Sequence, residues 1–314
     1  MPAAMPESLS KIMAAGRIGP EEVLAIRRIV YPDGHVGADE AGWMFDLDAA
    51  ARERDPAWCE LFVEALTDHV LNQMPPEGHV SGDNADWLLR GIVRDGHVRT
   101  ETELALLVNV LEKAVTAPGH LANLAMGEIK AQILAEGRAT AGKVDLLRRV
   151  LHASGGQQAT AITRTEAELL FDINDALAEA ANDPAWSDLF VKAIANHIMF
   201  ASGYSVPTRE EALRLETWRD DTSVNVGGFL GRMADGLRGV GALYRAPSEE
   251  KEHARRTAIQ AGAETVTDDE ARWLAGRLLR NGKLDGTERA LVAFIRSEQP
   301  SLHPALQAVF DRAA

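Results

Sequence analysis

Two stretches decide how this chain is read: Asp55-Pro56-Ala57-Trp58-Cys59-Glu60-Leu61-Phe62-Val63 and Asp183-Pro184-Ala185-Trp186-Ser187-Asp188-Leu189-Phe190-Val191. In each, Asp precedes a Pro at the first helical position, a strong helix start. Trp58, Phe62, Ala65 and His69 then fall on one stripe at helical spacing, as do Trp186, Phe190, Ala193 and His197. The likeness runs outward in both directions. Gly16-Arg17 through Arg27-Arg28 pairs with Gly137-Arg138 through Arg148-Arg149. Trp87-Leu88 and Arg94-Asp95-Gly96 pair with Trp273-Leu274 and Arg280-Asn281-Gly282. Matches in the same order predict one helical module written twice, over about residues 1–136 and 137–314.

The offset between copies is 121 at Gly16/Gly137, 128 at Trp58/Trp186 and 186 at Trp87/Trp273. The last step, 186 minus 128, predicts an insertion of roughly 58 residues in the second copy, between about 205 and 263. Within it, Phe229, Met233, Leu237, Val240 and Tyr244 share one face of a glycine-rich helical stretch over 227–245. Such a stripe suits docking to a partner groove, peripheral contact with a membrane surface, or packing onto its own domain.

Composition supports the helical reading. Apolar residues are 46% and charged residues 25%, the profile of a folded chain, while aromatic residues at 5% favour helix packing over sheet packing. The fold expected is all-α, two tandem modules of paired helix–turn–helix units. The net charge of −14 disfavours nucleic acid and anionic lipid as partners. The one cysteine, Cys59, excludes an internal disulfide and is expected to be a buried, inert thiol. The start of the chain lacks a secretory pattern, and no run approaches the ~20 apolar residues of a membrane span. A cytoplasmic location is expected.

A finer motif recurs: Gly, any residue, an apolar residue, then an acid four positions on. It is seen at Gly16-Arg17-Ile18 with Glu22, Gly34-His35-Val36 with Glu40, and Gly282-Lys283-Leu284 with Glu288. Looser copies are Gly78-His79-Val80 with Asn84, Gly96-His97-Val98 flanked by Glu101 and Glu103, and Ile162 with Glu166. Glycine ends one helix, the apolar residue sits in an extended stretch, and the acid lies in the first turn of the next helix. Copies 18 residues apart, Gly16/Gly34 and Gly78/Gly96, are expected to lay their extended residues side by side.

This resembles the second half of an EF-hand loop, with Gly at position six, the apolar residue at eight and Glu at twelve. The resemblance points to Asp33, Glu40, Asp285 and Glu288 as cation ligands, calcium being the ion addressed. The first halves do not follow: Ile29 and Tyr31 stand where two oxygen ligands belong. No cofactor is otherwise expected. His35, His79 and His97 occupy one slot between Gly and Val, which suits either a metal cluster or a solvent-facing position. The segments Arg94-Asp95-Gly96-His97-Val98 through Leu107 and Asn281 through Ile295 also resemble the TerB-like helical family linked to tellurite resistance. That resemblance implies an all-helical domain with metal-linked or stress-linked biology, and no catalytic residues.

Nucleotide-binding glycine loops, zinc-protease helices, nucleophile elbows and paired-cysteine spacings do not occur. The leading expectation is a non-catalytic adaptor or regulator that binds another protein. A cation-responsive protein and an enzyme with a site between the modules are the alternatives.

Overall fold

The computed structural model describes residues 4–32, 34–94, 96–154, 162–201, 268–298 and 304–312. It is predominantly helical. Two compact units divide the chain: Met1–Ala135 with Asp145–Gln157, and Glu136–Val144 with Gln158–Ala314.

The first unit contains α1 (Glu7–Ala15), α2 (Pro20–Val30), α3 (Ala38–Ala50), α4 (Pro56–Asp68), α5 (Gly82–Ile92), α6 (Glu101–Lys113) and all but the last residue of α7 (Gly119–Glu136). A π-helical turn, His69–Gln73, extends α4, with the Met74 N–H bonded to the His69 carbonyl at 3.0 Å. α8 (Ala141–Ser154) crosses the division between units. The second unit continues with α9 (Arg164–Ala176), α10 (Pro184–Ala201), α11 (Asp268–Leu278), α12 (Gly286–Glu298) and α13 (Pro304–Arg312).

The Asp-Pro starts behave as their chemistry requires. Asp55 caps α4 by accepting the Ala57 N–H at 2.9 Å, and Asp183 accepts the Ala185 N–H at the same distance at the start of α10. The motif glycines 16, 34, 78, 96 and 282 all have φ between 66° and 85°. At Gly16 this left-handed turn lets its N–H close α1 onto the Ile12 and Met13 carbonyls.

The extended connectors pair differently from the sequence expectation. β1 (Arg17–Ile18) runs parallel to β2 (Glu53–Arg54), which follows α3. β3 (Val93–Arg94) pairs antiparallel with β4 (His97–Val98), and His79 bridges Thr116. Ile18 is paired with Arg54 and Val98 with Val93, not with Val36 and Val80. The cause is competition for backbone groups: the Val36 carbonyl accepts from His69, and the Val80 N–H donates to the Thr116 carbonyl.

Each unit has its own apolar core. Trp58, Phe62, Met44 and Leu66 are fully buried in the first, and Trp186, Phe171 and Phe190 in the second. α4 packs on α6, and α10 packs on α12. No helix among the described residues is long and apolar enough to cross a membrane.

Candidate functional site

Buried polar and aromatic residues form a station of similar design in each unit. In the first, Trp58 Nε1 donates to Asp48 Oδ1 at 2.8 Å, and His69 Nδ1 donates to the Val36 carbonyl at 2.6 Å. Trp87 lies 5.0 Å from the His69 ring and 5.5 Å from Phe45, whose ring meets Phe62 edge-on at 5.6 Å. In the second, Trp186 Nε1 donates to Asn174 Oδ1 at 3.1 Å, and His197 Nδ1 donates to the Ile162 carbonyl at 2.8 Å. Trp273 lies 5.0 Å from the His197 ring and 5.6 Å from Phe171, whose ring meets Phe190 edge-on at 5.0 Å. Because a carbonyl only accepts, Nδ1 carries the proton in both histidines. The other nitrogen of His197, Nε2, is buried and has no hydrogen-bond partner among the described residues.

The stations differ in where the charge sits. Asp48 is wholly buried and accepts three side-chain donors: Trp58, Arg54 Nε at 2.8 Å and Thr100 Oγ1 at 2.8 Å. In the second unit α9 presents the neutral Asn174 instead. Its Nδ2 donates to Asp285 Oδ2 at 2.6 Å, so here the carboxylate lies at the cap of α12 and not on α9. Among the described residues no cation stands at the place of Arg54. The residue before Asp183 is Asn182, which accepts the Ala139 N–H and donates to the Leu177 carbonyl.

A second difference lies one layer out. Gly91 on α5 packs so closely on Phe45 that a Cβ would lie 2.6 Å from the ring. On α11, Arg277 lies over the Phe171 ring at 5.0 Å instead. Its guanidinium reaches Glu168 at 3.1 Å, Asp172 at 2.9 Å and Asp175 at 3.5 Å on α9. Arg280 extends the network to Asp172 and Asp175, and Asn281 donates to Asp175 at 3.0 Å. Burial pushes the Asp175 carboxyl up, against the pull of Arg277 and Arg280.

The motif acids are engaged in helix capping. Glu22, Glu103, Glu166 and Glu288 each fold back to the N–H of the residue before their helix, Gly19, Thr100, Thr163 and Asp285, at 2.7 to 3.1 Å. Of the two acids flanking the looser copy at Gly96, it is therefore Glu103 that takes this role. Glu40 lies in the first turn of α3, its carboxylate folded over Gly37. Asp285 Oδ1 accepts the Glu288 N–H at 2.8 Å, completing a reciprocal cap. Glu288 is buried, and burial raises its carboxyl to about 7, with Asp285 and Asp175 pushing the same way.

Among the sequence-derived candidates, Asp285 and Glu288 are thus together, and Glu40 sits in the other unit. Asp33 and the stripe Phe229, Met233, Leu237, Val240 and Tyr244 lie outside the described residues. Of the slot histidines, His35 and His97 are exposed and His79 is half-buried. His97 Nδ1 lies 3.1 Å from Glu128 on α7, and His79 Nδ1 lies 2.8 Å from Thr116 Oγ1. No three His, Cys, Asp or Glu side chains among the described residues converge as metal ligands would. Cys59 is half-buried rather than buried, and desolvation raises its thiol despite a hydrogen bond with Thr102.

Asp48, Asn174 and Arg277 escaped the sequence reading. The available signal was that Asp48 falls one helical turn from the core positions Met44 and Phe45. No protein-family model matches the chain, and no curated protein or solved structure is similar to it.

Proposed function

We propose that this chain is a non-catalytic adaptor of the cytoplasm, built from two copies of one helical module, that works by binding another protein. The observation that carries the reading is the paired Trp–His–Trp station. In each unit an imidazole Nδ1–H is held by a backbone carbonyl and an indole N–H by a buried side-chain oxygen, a carboxylate in the first and an amide in the second. Tandem helical modules are recognition scaffolds whose surfaces can diverge while their cores are kept. The recurring Asp-Pro starts, the fold-back acids and the shared ring geometry support a common origin for the two modules.

The sequence offers one segment for partner contact, the apolar stripe from Phe229 to Tyr244. The test is recovery of partners from a lysate of the native host, with the full chain and a variant lacking residues 224–246 as baits. The expected result is a partner protein retained by the full chain and lost by the deletion. Equal recovery by both baits removes the stripe from the proposal. A rise in melting temperature with millimolar calcium, reversed by chelator, replaces the adaptor reading with a cation-responsive one.

A further inference from the structure

We infer that the pairs Asp48–Thr100 and Asn174–Asp285 form a complementary code that lets each unit accept only its own closing pair of helices. The inference rests on reading the chain as one module written twice. A duplicated module has an assembly problem: α5–α6 and α11–α12 are built to close similar surfaces. The problem is sharper for the second unit, because α10 ends at Ala201 and α11 begins at Asp268. While that long connection is closing, the surface offered by α3 and α4 is a competing target, in the same chain or in another copy.

The buried polar contacts discriminate between correct and crossed docking. In the correct arrangements one partner is a carboxylate and the other a neutral donor: Thr100 Oγ1 to Asp48 at 2.8 Å, and Asn174 Nδ2 to Asp285 at 2.6 Å. If α12 docked against α3, Asp285 would meet Asp48, two carboxylates in a site where Asp48 has no solvent exposure. Like charges so placed are strongly disfavoured. The surrounding layer acts in the same direction. Arg277 on α11 is matched by Glu168, Asp172 and Asp175 on α9. Counting back from the shared rings, the corresponding positions on α3 are Gly42, Asp46 and Ala49 (126 residues earlier, as Phe45 is to Phe171). Crossed docking would strip Arg277 of two of its three acids. Docking α5 against α9 would leave those three acids facing Gly91. The aromatic rings common to both units provide none of this selectivity; the close approach of Gly91 to Phe45, which leaves no room for a Cβ, adds to it.

The mismatch can be installed within the second unit of the full-length chain. Asn174→Asp places two carboxylates across the α9–α12 contact, and Asn174→Asp/Asp285→Thr restores a carboxylate facing a hydroxyl. The readout is amide hydrogen exchange of the 286–298 peptide, with the 101–113 peptide as internal reference. The single substitution is expected to lower protection of α12 by on the order of a hundredfold while α6 keeps its own. The double substitution is expected to regain at least about tenfold of that loss. Recovery stays partial because Asn182 stands where Arg54 assists Asp48. Wild-type protection in Asn174→Asp overturns the code and leaves the two-module reading intact. A double variant as poorly protected as the single, or unfolded, overturns both, since the Asp–Thr pair would then not work in the second unit. The pull-down result bears on neither outcome.

Discussion

Asp48 concentrates more of the first unit's polar design than any other side chain. It receives an indole N–H, a guanidinium and a hydroxyl from three separate places in the chain: the start of α4, β2 and the cap of α6. A buried charge with this many donors is stable only as a set. Asp48→Ala leaves Trp58 and Thr100 without their acceptor and Arg54 with only the backbone carbonyl of residue 48, and is expected to cost about 3–5 kcal/mol. Urea unfolding followed by tryptophan fluorescence measures it. Asn174→Ala removes a neutral group that bonds Trp186 and Asp285, and the expected cost is smaller, about 1–3 kcal/mol. Equal losses at the two sites would show that the charge on Asp48 is irrelevant to its role.

Among the elements, α5 and α11 do similar work with opposite means. α5 approaches Phe45 closely through Gly91, while α11 keeps Arg277 between itself and α9. Gly91→Ala would drive a methyl to 2.6 Å from the Phe45 ring, and a core that is already packed resists such an addition. A loss of about 1–3 kcal/mol is expected. Gly276 on α11 supplies the control, since a Cβ there meets nothing within 4 Å. Gly276→Ala is expected to raise stability by about 0.5–1 kcal/mol through helix propensity alone. Thermal melts of the two variants should therefore move in opposite directions. The same logic of local closure explains the fold-back acids. A helix start leaves N–H groups without partners, and Glu at the third position satisfies one of them with a charge the helix dipole favours.

On the scale of the molecule, the net charge of −14 and the gathering of acids around α9 and α12 set the response to pH. Glu288 is buried beside Asp285 and Asp175, and its carboxyl is raised from 4.5 to about 7 in the folded chain. The folded state therefore binds more protons than the unfolded state between those two values, and stability declines as pH rises through that window. The contribution is fully present below 4.5 and gone above 7, and amounts to at most about 3 kcal/mol. Glu288→Gln holds a neutral side chain at every pH. Melting temperatures of the wild type should fall between pH 5 and pH 7.5, and those of the variant should fall less. Parallel curves would mean that Glu288 titrates as an ordinary surface acid.

Local chemistry along the chain was sufficient for the helices, because Asp-Pro starts, glycine ends and apolar stripes act within a few residues of one another. It was also sufficient to place the rings of Trp58 and Trp186 on apolar stripes, whereas the loop resemblance points to Asp285 and Glu288 as cation ligands and they are found capping α12. The sequence was silent on the partners those residues take, since Asp48 and Thr100 are 52 positions apart, and Asn174 and Asp285 are 111 apart. Motif spacing suggested that Ile18 would lie against Val36, yet the His69 imidazole claims the Val36 carbonyl and α3 delivers Arg54 to Ile18 instead. Backbone and side-chain groups compete for each buried hydrogen bond, and only the packed chain decides which of them arrives.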